Sequence, residues 1–179
     1  STAKTLRQVA ASIHAGRLPV RVALEINRYH GVDTPGITYA GLLAMAQHAG
    51  CSEVGFCWDM GHTCFSVLQN RLPPIPPPEF IRKVCHTPVH GLSSDGRDTH
   101  RPLIESRSYI ASSVAQLKSV GYSGIYNLEL SPMRWGAQNR ALDGVLGSLR
   151  CLRDFLKPVT PATTPRRASL PGTGRVPAC

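Results

Sequence analysis

The stretch Glu53-Val-Gly-Phe-Cys-Trp-Asp-Met-Gly-His62 runs from a β-prone apolar segment straight into a short polar turn, and the rest of the chain is read outward from it. Residues Glu53 to Trp58 predict a strand. Side chains alternate faces along a strand, so Gly55, Cys57 and Asp59 share one face, with the aspartate at the carboxyl end. Upstream, Val20-Arg-Val-Ala-Leu-Glu-Ile26 repeats the arrangement: Arg21, Ala23 and Glu25 lie on one face and Val22, Leu24 and Ile26 on the other. Downstream, a strand at about Val84 to His90 places Val84, His86, Pro88 and His90 together. A fourth, from Gly124 to Leu130, places Ile125, Asn127 and Glu129 together.

Between these runs the spacing turns helical. Ala3, Leu6, Val9, Ala10 and Ile13 predict an amphipathic helix over residues 2 to 15, capped by Ser1 or Thr2 and stopped at Gly16. Further helices are expected from Ile37 to Ala49, ended by Gly50, from about Arg107 to Val120, ended by Gly121, and from about Gln138 to Leu156. Prolines 73, 74, 76, 77 and 78 predict a stiff extended segment without regular structure. Strands recur roughly every 30 to 40 residues with helices between them, and that alternation predicts an α/β fold with a parallel sheet and covering helices.

The chain has 179 residues, 42% of them hydrophobic, which is enough to bury a core and is the size of one domain. Twenty Lys+Arg against eleven Asp+Glu give a net charge of +9. Four of the basic residues, Lys157, Arg166, Arg167 and Arg175, fall in a C-terminal stretch with five prolines and no acid, so residues 157 to 179 are expected to form a disordered tail and 1 to 156 the folded domain. The domain is then only mildly basic, which is weak evidence for a polyanion partner, and nucleic acid is not expected as one. No secretory signal and no apolar run of about 20 residues is visible, so no membrane partner is expected. Six cysteines at irregular spacing without a CxxC pair argue against a zinc ribbon and a disulfide framework, and a reducing, cytoplasmic location is the default expectation.

The chemistry lies at the carboxyl ends of the strands, where α/β folds gather their binding residues. Each of the four strands brings a metal-binding residue type to that end: Glu25, Asp59, His86 or His90, and Glu129. Buried carboxylates are costly alone, whereas two or three carboxylates and an imidazole around one divalent cation satisfy each other. The pattern therefore predicts a divalent metal. Plainer roles stand beside this one: Glu25 pairing with Arg28, Asp59 capping the next turn, and the histidines hydrogen-bonded in the core.

Taken in order, Val22-Ala-Leu-Glu25, Trp58-Asp-Met-Gly-His62, the His-bearing strand running into Asp98-Thr-His100-Arg-Pro-Leu103, and Gly121-Tyr-Ser-Gly-Ile-Tyr-Asn-Leu-Glu129 resemble the xylose-isomerase-like TIM barrel superfamily. That superfamily includes sugar-phosphate isomerases and epimerases, hydroxypyruvate isomerase, tagatose-type epimerases and the endonuclease IV class of DNA repair enzymes. The resemblance covers about residues 5 to 156. It implies a (β/α)8 barrel of which this chain supplies the C-terminal half, strands five to eight, since a whole barrel needs about 250 residues. It also implies a metal (Mn, Mg or Zn) held by Glu25, Asp59, a histidine of the seventh strand and Glu129. The superfamily's His-x-His-Asp stands here as His86-Thr-Pro-Val-His90-Gly, so His86 and His90 both remain as that ligand. Asp98 and His100 match an element that supplies further metal ligands in the nuclease branch.

The function implied is a metal-dependent sugar or sugar-phosphate isomerase or epimerase working through an enediolate, with Glu25 and Glu129 transferring the proton and His62 orienting a hydroxyl. Two alternatives accompany it: a zinc phosphodiesterase acting on abasic DNA, and a metal-binding remnant without turnover. The half-barrel length further predicts a partner, either an N-terminal half or a second copy of the chain.

Overall fold

The computed structural model describes residues 2–93, 95–96, 99–131 and 138–158, with Glu105 and residues 138–140 described through their backbone alone. Ten helices and strands follow one another: α1 (Thr2–Ala15), β1 (Val22–Glu25), α2 (Tyr39–Ala49), β2 (Val54–Cys57), α3 (Met60–Leu68), α4 (Pro78–Ile81), β3 (Val84–Val89), α5 (Arg107–Ser119), β4 (Tyr126–Leu128) and α6 (Gln138–Leu156). Short 3-10 turns at Pro35–Ile37 and Leu103–Ser106 lead into α2 and α5. The expected tail from residue 159 onward lies outside the described residues.

The four strands form one parallel sheet in the order β1-β2-β3-β4. Sequential order in a parallel sheet, with right-handed crossovers, puts all connecting helices on one face. That face holds the core. Val54 and Phe56 of β2 and Val84 and Val89 of β3 pack with Leu42 and Ala46 of α2, Ile110, Val114 and Leu117 of α5, and Cys151 and Leu152 of α6. The arrangement is an α/β fold consistent with part of a β/α barrel. On the opposite face, the outer strands leave Ala23, Glu25, Ile125 and Asn127 exposed, as the alternation in the sequence predicts.

Local signals account for most boundaries. Thr38 caps α2 by accepting from the Gly41 N–H at 3.0 Å, and Gly50 ends the helix with φ +65°, a left-handed conformation in which glycine carries no Cβ penalty. Helix α1 ends at Ala15, with the expected stop, Gly16, next, and the left-handed residue follows at Arg17 (φ +49°).

Two segments depart from expectation. Residues 60–68, left without a helix by the spacing, form α3. Its two weak helix formers, Gly61 and Thr63, are offset by the Asp59 cap and by burial of Met60, Thr63 and Cys64. The proline-rich segment ends in a single helical turn, α4, because a proline at the first helical position has no N–H to lose there. That turn buries Phe80, whose ring stacks on Phe56 at 4.7 Å.

The register of β3 against β2 decides which histidine reaches the site. Phe56 pairs with Val84 and Cys57 with His86, so Cys85 is an extra residue absorbed in a bulge. His86 thus lies beside Cys57 within the sheet. His90 lies one residue past the strand end.

Candidate metal centre

Six of the residues picked out by sequence come together above the carboxyl edge of the sheet: Glu25 from β1, Asp59 and His62 at the start of α3, His90 after β3, His100 from the following loop, and Glu129 after β4. Asp59 is the hub. Its side chain is 1% exposed, and Oδ1 accepts the His62 backbone N–H at 2.7 Å, which makes it the N-cap of α3. The same oxygen stands 3.0 Å from Nε2 of the fully buried His90, and Oδ2 stands 3.1 Å from Nδ1 of His62. Glu25 Oε1 approaches that His62 nitrogen at 3.5 Å. The plainer pairing of Glu25 with Arg28 does not form.

His100 is brought in by a fold-back of its loop. Gly91 and Arg101 pair as an antiparallel bridge, Gly91 N–H donating to Arg101 O at 2.7 Å and Arg101 N–H to Gly91 O at 3.1 Å. This lays the His100 ring on His90, with centroids 4.2 Å apart and planes 16° from parallel. His100 holds φ +60°, a left-handed conformation unusual for a residue with a Cβ. Its Nε2 lies 3.2 Å from Glu129 Oε1, while Thr99 Oγ1 meets its Nδ1 at 2.9 Å.

Despite these short distances, three buried polar atoms of this cluster, Asp59 Oδ2, His62 Nδ1 and His90 Nε2, are out of line for good hydrogen bonds. Buried polar atoms are rarely left so. All three are metal-ligand atoms, and they belong to neighbouring residues of one cluster. The ligand atoms of Glu25, Asp59 and His62 lie within 4.8 Å of one another, as do those of His62, His90 and His100. These residues have the composition and spacing to hold a divalent cation.

The His90 ring can serve either state. Without metal, Nδ1 accepts the His100 backbone N–H at 3.0 Å, which puts the proton on Nε2, toward Asp59. With Nε2 as a ligand, Nδ1–H would instead donate to the Gly91 carbonyl, 3.2 Å away, the outer-shell contact that ligating histidines commonly make. Burial opposes charge on both members of the Asp59–His90 pair, but their mutual attraction prevails: Asp59 is held below the usual carboxylate range and His90 above the usual imidazole value. His100 goes the other way, lowered by burial and by His90 despite Glu129 nearby.

Three sequence candidates stand differently. Glu129 touches the cluster through His100 and is outside both four-ångström-scale groups. The His86 side chain makes no hydrogen bond or ion pair among the described residues, its carbonyl accepting the Trp58 N–H at 2.9 Å, and it belongs to neither group. Asp98 lies outside the described residues. One participant was missed. Gly61 lies directly beneath the His90 ring, too close for any Cβ, so its lack of a side chain is what admits the imidazole. The signal was present in Asp59-Met-Gly-His62, but only the folded loop shows what the glycine faces.

No family model, no curated protein and no solved structure matches this chain. No helix among the described residues is long and apolar enough to cross a membrane.

Proposed function

We propose that this chain binds a divalent metal (Mn, Mg or Zn) through Asp59, His62 and His90, with Glu25, His100 and Glu129 around them, and acts as a sugar or sugar-phosphate isomerase or epimerase. The observation that carries the metal is the approach of ligand atoms to within 4.8 Å of one another in two overlapping groups, Glu25, Asp59 and His62, and His62, His90 and His100. When bound, the ion would supply Lewis-acid stabilisation of the negative charge created by proton removal next to a carbonyl. Glu25 and Glu129 flank the buried trio from β1 and β4, the two outer strands. Their side chains are 42% and 49% exposed, so both can reach a substrate over the sheet edge. One removes the proton and the other returns it, as general base and acid. His62, held between Asp59 and Glu25, is placed to orient a substrate hydroxyl.

The experiment has two parts. Ligand at about 100 times its dissociation constant stabilises a fold by about 2.7 kcal/mol, so adding Mn or Zn to metal-stripped protein should raise the melting temperature, and Asp59→Asn should remove the rise. The metal-loaded chain should exchange the α-proton of a ketose with solvent deuterium, and Glu129→Gln should abolish that exchange. Unchanged exchange in the variant would take Glu129 out of the role; stoichiometric metal with no exchange of any ketose would favour a remnant without turnover.

A second reading, a zinc phosphodiesterase acting on abasic DNA, is favoured by the gathering of three imidazoles, His62, His90 and His100, a zinc-like donor set. Zinc-dependent cleavage of an abasic duplex would establish it in place of the isomerase. Under either reading, an N-terminal half or a second copy would cover the exposed face that carries Ala23 and Ile125, and sedimentation at monomer mass with full activity would argue against that partner.

A further inference from the structure

The metal-capable cluster stands at the carboxyl edge of the sheet, and a second concavity opens at the opposite, amino-terminal edge. It measures about 380 Å³, within the range of about 300–1,000 Å³ typical of small-molecule pockets. Its walls come from residues that lead into three of the strands: Arg21 before β1, Arg82 and Val84 at the entry of β3, Cys85 in the bulge, and Tyr122 and Ser123 on the way to β4. Arg21 precedes Glu25 by four residues, about 13 Å along an extended chain, so the cavity is separate from the cluster.

A missing side chain shapes this end as it shapes the other. A Cβ on Gly55 would meet Cys85 Sγ at 2.8 Å and Arg21 Nη2 at 3.4 Å, so the bare position on β2 lets the Arg21 guanidinium lie over the sheet beside the thiol. Cys85 donates to the Phe56 carbonyl at 3.6 Å. Burial pushes its thiol up, and the Arg21 cation pulls the other way. Across the cavity, the Gly121 and Tyr122 N–H groups donate to the Lys118 and Leu117 carbonyls at 3.1 and 3.0 Å, so these last carbonyls of α5 are occupied. The Tyr122 ring folds onto Gly124, and its hydroxyl donates to the Ile125 carbonyl at 3.0 Å, which fixes the aromatic wall.

No acid lines this cavity. Neither arginine side chain makes a hydrogen bond or an ion pair among the described residues. The carboxylates nearest in sequence leave both cations alone: Glu53, before β2, meets His14 at 3.6 Å and the Ser52 hydroxyl at 3.2 Å, and Glu79, three residues before Arg82, forms no ion pair. A guanidinium presents paired planar donors that match two oxygens of a carboxylate or phosphate. Val84 and the Tyr122 ring add apolar surface beside these donors.

We propose that this cavity binds a small organic oxyanion, a carboxylate or a phosphate ester, between Arg21 and Arg82. The apolar part of the ligand lies on Val84 and the Tyr122 ring, and the Ser123 hydroxyl adds a donor to the oxyanion. The site is independent of the metal reading and stands or falls without it.

Cys85 gives the test its readout, because a bound ligand covers the thiol. Metal-stripped protein is alkylated with iodoacetamide in the presence of phenyl phosphate, benzoate or uncharged benzyl alcohol, and the modified cysteines are counted by mass spectrometry. At ten times its dissociation constant an anion should slow alkylation of Cys85 about tenfold, whereas Cys51, outside the cavity, should react at an unchanged rate. Arg21→Gln and Arg82→Gln should each weaken that protection about tenfold or more, and Arg28→Gln, an arginine outside the cavity, should leave it intact. Protection by phenyl phosphate alone assigns a phosphate ester, and protection by benzoate assigns a carboxylate. No protection by either anion, equal protection by benzyl alcohol, protection retained in both cavity variants, or equal loss in Arg28→Gln overturns the proposal.

Discussion

The imidazole of His90 rests against the bare Cα of Gly61, with its Cε1 and Nδ1 atoms occupying the space a Cβ would need. The same ring reaches Asp59 at 3.0 Å on one side and stacks on His100 on the other. One glycine near the start of α3 thus sets the position of the residue on which the cluster turns.

Gly61→Ala should be destabilising although alanine is the better helix former by about 1 kcal/mol. Pushing the ring aside costs about 1–3 kcal/mol, as overpacking of a closed site does. A melting temperature lower by several degrees, together with lost metal stabilisation, is the expected outcome. A variant that melts at or above the parent and binds metal equally would show that His90 has another place to go.

Thr63 is the polar joint beneath the site. Its hydroxyl accepts from Trp58 Nε1–H at 3.1 Å and from the Tyr109 O–H at 3.1 Å, while donating to the Asp59 carbonyl at 2.9 Å. Thr63→Val keeps the shape and strands two buried donors, at a cost of about 1–3 kcal/mol for each group left unmet. Chemical denaturation should show the loss, and Thr63→Ser should restore most of it. Equal stability of the valine variant would mean that the two donors find other acceptors.

In metal-stripped protein, the Asp59–His90 pair makes stability depend on pH from both sides. Asp59 lies below its ordinary value of 3.8, because attraction to His90 and His62 outweighs burial, so its contribution is present above 3.8 and is lost as pH falls through its lower folded value. His90 lies above its ordinary 6.5, because Asp59 outweighs burial, so its contribution is full below 6.5 and is lost as pH rises through its higher folded value. Stability from this pair is therefore greatest between about pH 4 and 6.5. Melting curves from pH 3 to 9 in chelator should fall on both sides, and Asp59→Asn should flatten the alkaline fall. A wild-type midpoint that keeps climbing from pH 6.5 to 9 would rule this out.

The strands were legible because alternation is a local property. The exposed face carrying Ala23, Glu25 and Asn127 follows directly from the order of side chains along β1 and β4. The role of Asp59 as a cap for the turn after it was legible for a similar reason, since capping acts over three residues. Helix α3 was not: Gly61 and Thr63 weaken the local signal, and what stabilises the helix is burial against elements distant in sequence.

Choosing between His86 and His90 lay further out of reach. Both fall on the same face by period, and the bulge at Cys85, together with the antiparallel bridge from Gly91 to Arg101, leaves His86 beside Cys57 and stacks His90 under His100. Bulges and fold-back loops are set by contacts between segments, so no window along the chain contains them. By itself the sequence determined a four-stranded parallel α/β arrangement and the chemical types at its carboxyl edge, because periodicity and capping act over a few residues. Only the tertiary structure decided that Glu25, Asp59 and His62, and His62, His90 and His100, bring ligand atoms within 4.8 Å of one another, because that depends on where separate segments meet.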